Sequence, residues 1–219
     1  MNRFEATQEP ASRLRVRTKA VVVPVDEVTG QPPAVPPAMR LQRLLGSDAV
    51  DLDWRTTRTL SGAVVFDGHT DVSGRTAEER YRLLVEGDAT VRPERPGGYV
   101  FTVGADPAGW PVRVVVRLLP GPAYAYQLRL PVVRGSVVEF APERPPVANA
   151  VVVASEDGGA HETARCATDD RGSFSLGLPG YRPSKTILIR AVAPGFLPGA
   201  WRRVTPTSLQ QPVQLTVRR

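Results

Sequence analysis

The stretch Thr168-Asp169-Asp170-Arg171-Gly172-Ser173-Phe174-Ser175-Leu176 decides the fold. A polar cluster separates two β-rich runs in it. Asp169 and Asp170 can hydrogen-bond the backbone of their own turn, and Gly172 can take the positive φ that closes a hairpin. Phe174 then points into a core. Working outward, Arg134 to Phe140, Ala150 to Ser155, Thr163 to Thr168, Ser173 to Leu178, Thr186 to Val192 and Pro212 to Val217 are six short β runs. Turn clusters at Glu143-Arg144-Pro145-Pro146 and Asp157-Gly158-Gly159 punctuate them. A strand about every 10 residues is the spacing of a sandwich or small barrel.

The first half has the same character with more interruptions. Arg13, Arg15, Arg17 and Lys19 alternate with Leu14, Val16, Thr18 and Ala20, the period of a half-buried strand that continues to Val25. Leu60 to Phe66, Tyr99 to Val103, Val112 to Leu118 and Tyr126 to Val132 are further β runs. Residues 37–45 fit a short helix or a strand equally well. Thr76-Ala77-Glu78-Glu79 has the form of a capping box, Ala77, Tyr81, Leu84 and Val85 share a helical face, and Gly87 stands where a helix would stop. One short helix is predicted there. Gly97-Gly98-Tyr99-Val100-Phe101 parallels Gly172-Ser173-Phe174, so the first half reads as a diverged sandwich with insertions at 46–60 and 67–96. The fold class is all-β, two β-sandwich-like units with at most one or two short helices. Residues 1–12 are expected to be loose, 13–133 to form the first unit and 134–219 the second.

Composition agrees. Gly 19 and Pro 22 make up about a fifth of 219 residues, which suits many tight turns, and 42% hydrophobic content is too high for a disordered chain. The net charge of +6 is spread, with 17 basic and 15 acidic residues before position 134 and 11 and 7 from it onward. No Lys/Arg block offers a dense phosphate-binding patch, so nucleic acid is not the expected partner. The longest apolar run, Ala20 to Val25, is far short of a membrane span, and the first ten residues lack the apolar core of a secretory signal. A cytoplasmic location is expected on that ground.

Chemistry is hard to place. His161-Glu162-Thr163-Ala164-Arg165 lacks the second His that a zinc helix needs, and Gly172-Ser173-Phe174-Ser175-Leu176-Gly177 lacks the spacing of a serine-nucleophile elbow. His69 sits in a polar turn, Asp48, Asp51 and Asp53 have no calcium-loop spacing, and Cys166 reads as a strand residue without a neighbouring His. No catalytic residue, metal or cofactor is expected. The contact candidates are the row Arg13, Arg15, Arg17 and Lys19, which four like charges would keep solvated or paired, and the group Trp201, Arg202 and Arg203. Tyr124 and Tyr126 would share a face if 123–130 were a strand, giving a platform for a sugar.

The runs Gly135-Ser136-Val137-Val138, Pro146 to Val153, Thr168 to Leu176 and Arg190-Ala191-Val192-Ala193-Pro194-Gly195-Phe196 together resemble the carboxypeptidase regulatory-like domain. The resemblance covers residues 134–219. It implies a seven-strand, transthyretin-like sandwich that serves as a non-catalytic accessory. With its diverged β-rich N-terminal part, the chain is also similar to small proteins of phage tail-like contractile injection particles, which assemble in the cytosol. The expected function is a structural or adaptor protein docking other protein subunits, and the alternative is a carbohydrate-binding module.

Overall fold

Asp169 builds the turn that the sequence singles out. Its Oδ1 accepts the backbone N–H groups of Arg171 and Ser173 at 2.9 and 2.8 Å, and Gly172 closes the turn at φ +72°. Phe174 is 2% exposed. Asp170 departs from expectation, because its carboxylate turns away from its own loop to meet Arg92 of the first half.

The computed structural model describes residues 16–52, 56–69, 78–126, 130–156 and 161–219. The first half contains β1 (Val16–Asp26), β2 (Met39–Leu45), β3 (Asp48–Leu52), β4 (Thr56–Arg58), β5 (Val64–His69), β6 (Glu79–Val85), β7 (Val91–Pro93), β8 (Tyr99–Val103) and β9 (Val112–Pro120). The second contains β10 (Val132–Glu139), β11 (Val151–Ser155), β12 (Glu162–Ala167), β13 (Ser173–Gly177), β14 (Leu188–Val192), β15 (Arg202–Arg203) and β16 (Val213–Val217). Among the described residues the helical elements are single 3-10 turns at Pro107–Gly109 and Pro206–Leu209. The protein is all-β, and no described helix is long and apolar enough to cross a membrane.

Four sheets form two layered pairs. The strand orders are β4-β5-β1-β9-β7 and β3-β2-β6-β8 in the first half, β13-β10-β16 and β12-β11-β14-β15 in the second. The same plan underlies both. In each half the opening strand is central, pairs antiparallel with a middle strand (β5 or β13) and parallel with the closing strand (β9 or β16). The opposite sheet repeats as β3-β2-β6-β8 and β12-β11-β14-β15. The echo between Gly97-Gly98-Tyr99 and Gly172-Ser173-Phe174 does not mark equivalent positions: Tyr99 lies on β8, the counterpart of β15, and Phe174 on β13, the counterpart of β5.

Each half has its own core. Val22, Leu41, Phe66, Tyr81, Leu83, Val116 and Leu118 close the first, and Val133, Val152, Cys166, Phe174, Leu176, Ile189 and Leu215 the second. Removing one such side chain from water contributes roughly 1.5 to 3 kcal/mol. The early edge of each sandwich is formed by β3 with β4 and β5, or by β12 with β13, and the late edge by β8 with β9 and β7, or by β15 with β16.

Two sequence expectations fail. The predicted helix is the strand β6, because Tyr81, Leu83 and Val85 are buried in alternation between β2 and β8; Thr76 and Ala77 lie outside the described residues. In the run Tyr126 to Val132 the described residues Tyr126, Leu130 and Pro131 lie outside strands and Val132 opens β10; residues 127–129 lie outside the described residues. Residues 39–45, left open between helix and strand, are β2.

The tight approach of β10 to β16 gives a direct test. A Cβ on Gly135 would lie 1.9 Å from the Val213 carbonyl oxygen, so Gly135→Ala is expected to lower stability by about 1 to 3 kcal/mol. A urea midpoint equal to that of the wild type would contradict the pairing.

Candidate interaction surfaces

The seam between the halves is ionic. Arg165 projects from β12 between Glu27, just beyond β1, and Glu94, just beyond β7. Its Nη2 lies 2.6 Å from Glu27 Oε1 and its Nη1 2.7 Å from Glu94 Oε1. Burial works against the guanidinium charge, but both carboxylates raise its pKa above the usual arginine value. Arg92 Nη1 donates to Asn149 Oδ1 at 2.8 Å and to Asp170 Oδ1 at 3.1 Å. Beside these pairs lies a cleft of about 590 Å³, lined by Glu27, Tyr126, Leu130, Arg165, Gly177 and Pro179 among others.

The tyrosine pair belongs to this seam. Tyr124 donates its hydroxyl to Asp26 Oδ2 and Tyr126 donates to the Ser175 carbonyl, both at 2.8 Å. Their ring centroids are 4.8 Å apart at 59°, so they are not the parallel strand platform proposed for a sugar. Burial pushes both phenols up, with Asp26 adding to the rise at Tyr124 and Cys166 to that at Tyr126.

Of the basic row, expected to be solvated or paired, Lys19 is the paired case. Arg13 and Arg15 lie outside the described residues, and Arg17 is described only as part of strand β1. Lys19 is not on a solvated face: it is 5% exposed, and its Nζ is 2.7 Å from Glu79 Oε2. Arg43 Nη2 reaches Glu79 Oε1 at 2.9 Å, the Tyr81 hydroxyl donates to Glu79, and Lys19 also lies 5.5 Å from the Trp110 ring centroid. Burial pushes the Glu79 carboxyl up, yet Lys19, Tyr81 and Arg43 together hold it below its ordinary 4.5. Trp110 donates to the Gly104 carbonyl and packs on the first core, so it closes its own sandwich.

Trp201, Arg202 and Arg203 come together at the late edge of the second half. Arg202 and Arg203 are exposed on β15, the last strand of its sheet. Arg190 stacks 4.3 Å from the Trp201 ring centroid, Arg202 Nη1 donates to the Gln214 carbonyl at 3.1 Å, and Arg144 Nη1 to Gln214 Oε1 at 3.2 Å. Phe140 and Leu197, 63% and 64% exposed, flank this edge, with Arg218 4.3 Å from the Phe140 ring centroid. The sequence reading missed Arg144, Phe140 and Arg218. The outward alternation of Gln214 and Thr216 on β16, continued by Arg218 just past its end, was the available signal.

The other sequence candidates are dispersed. Cys166 is fully buried, and desolvation pushes its thiol well above the ordinary range. Asp48 and Asp51 stand on the exposed strand β3, where Gln42 Nε2 donates to Asp51 at 2.9 Å, and Asp53 lies outside the described residues. His161 is exposed beside β12, while His69 closes β5.

No family model matches the chain, and no curated protein does. Among solved structures it is similar to a variant of the shaft pilin SpaA from Lactobacillus rhamnosus GG, at 13% identity and TM-score 0.31, covering 92% of this chain and 97% of that one. It is also similar to a Streptococcal ancillary pilin, at 15% identity and TM-score 0.29, covering 92% of this chain and 62% of that one. Likeness at this level carries no functional argument.

Two outcomes follow. Each charged hydrogen bond of this kind contributes roughly 1.5 to 3 kcal/mol, so Arg165→Met is expected to uncouple the halves and split one calorimetric transition into two. An unchanged single transition would contradict the seam's role. Glu79 is depressed in the folded state, so its stabilisation is complete above about pH 4.5 and drains as pH falls through the lower folded value. Glu79→Gln should therefore lower stability at pH 7 and flatten the acid limb; an acid limb of unchanged slope would contradict it.

Proposed function

We propose that the chain is a non-catalytic structural subunit that docks other protein subunits of a larger assembly. The carrying observation is the late edge of the second half. Arg202 and Arg203 stand on a terminal strand, with Trp201 just before it and Arg144, Arg190, Phe140 and Leu197 around them. An exposed strand edge offers backbone hydrogen bonds to an added chain, and interspersed aromatics and arginines are the residues that anchor protein interfaces. The sealed Cys166 and the committed Tyr124–Tyr126 pair support docking over an enzyme or a sugar-binding module.

The finer reading is a phage tail-like contractile injection particle assembled in the cytosol. It rests on the sequence resemblance alone.

Trp201→Ala with Arg203→Glu is expected to leave the far-ultraviolet spectrum unchanged and to move the tagged chain, expressed in its native host, from a large particle to the monomer fraction of a density gradient. A double variant that sediments with the wild type would refute docking by this edge. A particle of megadalton mass would support the finer reading, and a smaller complex would refute it.

A further inference from the structure

The two sandwiches already show how one copy of this plan meets another. Inside the chain, the late edge of the first half, β7 and β9, packs on the early edge of the second, β12 and the turn before β13. The contact is charged, with Glu27 and Glu94 on the late side and Arg165 on the early side. That leaves two unused edges at opposite ends of the molecule: the early edge of the first half, ending in β3, and the late edge of the second, ending in β15.

These free ends are complementary. β3 carries Asp48 and Asp51, and its residues 48–51 are all exposed. Side chains alternate across a strand, so a spacing of three puts one carboxylate on each face. β15 carries Arg202 and Arg203, both exposed, and their adjacency likewise puts one cation on each face. Apolar groups accompany both ends: Leu45 and Val50 are 52% and 47% exposed beside the acidic strand, and Phe140 and Leu197 are more exposed beside the basic one.

We infer that the partner is a second copy of this chain, bound head to tail: β3 of one copy adds to β15 of the next, again joining a late edge to an early one, but by strand addition and with the acidic side on the early edge. The inference rests on the docking proposal and names its partner. A heterologous contact of this kind leaves one end free at every step, so assembly continues beyond the dimer. Opposite charges at the contact make it weaken as salt rises.

Sedimentation equilibrium of the purified full chain tests it. At low ionic strength the weight-average mass of the wild type should climb with concentration past that of a dimer and return toward the monomer at high salt. Asp48→Lys with Asp51→Lys, and separately Arg202→Glu with Arg203→Glu, should each remain monomeric with an unchanged melting temperature. An equimolar mixture of the two should associate again, because each supplies the charge that the other lost. A wild type that stays monomeric, or stops at a dimer, overturns the inference without needing any variant. Variants that associate like the wild type, or a mixture that stays monomeric, overturn it as well. If the pure wild type is monomeric yet enters a large particle in its native host, docking stands and the self-partner falls.

Discussion

Arg165 holds the two halves together. From β12 it reaches carboxylates on two different segments of the other sandwich, Glu27 and Glu94. Each half has a separate hydrophobic core, so burial alone stabilises two domains without fixing their relation. Directional bonds must fix it. A guanidinium has five donors in a planar fork, which suits it to two carboxylates at once, where an ammonium would serve as a point charge. Arg92, bridging to Asn149 and Asp170, adds a second point of attachment and resists rotation about the first.

The shared strand plan explains why this seam has a polarity. The plan common to both halves presents unlike edges, one built from early strands and one from late ones. When two such units stack, one early and one late edge are used, and one of each remains. The charges reverse at the free ends: inside the seam the late side carries Glu27 and Glu94 and the early side Arg165, whereas the free early edge carries Asp48 and Asp51 and the free late edge Arg202 and Arg203. An unpaired strand edge invites association, and charges on it select which partner can add.

The second half was legible because its signals are local. Turn residues, alternation and short spacing agree from Arg134 onward, and all six expected runs appear as strands within two residues of the expected ends. The first half misled where local and tertiary preferences conflict. Residues 79–85 carry a helical face on paper, but neighbours on both sides, β2 and β8, select the alternating set Tyr81, Leu83 and Val85 for burial. Lys19 belonged by alternation to a charged outer row, yet Glu79, sixty positions away, offers a carboxylate that makes burial tolerable. Such a partner leaves no trace in the local pattern. Trp201, Arg202 and Arg203 were legible as a group from adjacency, whereas Arg144 and Phe140 join them only through the pairing of distant strands.

The ionic seam fixes the two sandwiches relative to one another, with their free edges at opposite ends. Spin labels at Val50→Cys and Arg203→Cys, with the buried Cys166 left in place, measure the separation of those edges directly. With the doubly labelled chain diluted in unlabelled protein, pulsed dipolar spectroscopy should give one narrow distance population, which broadens when Arg165→Glu is added. A broad or multiple distribution in the chain with Arg165 intact would contradict the claim.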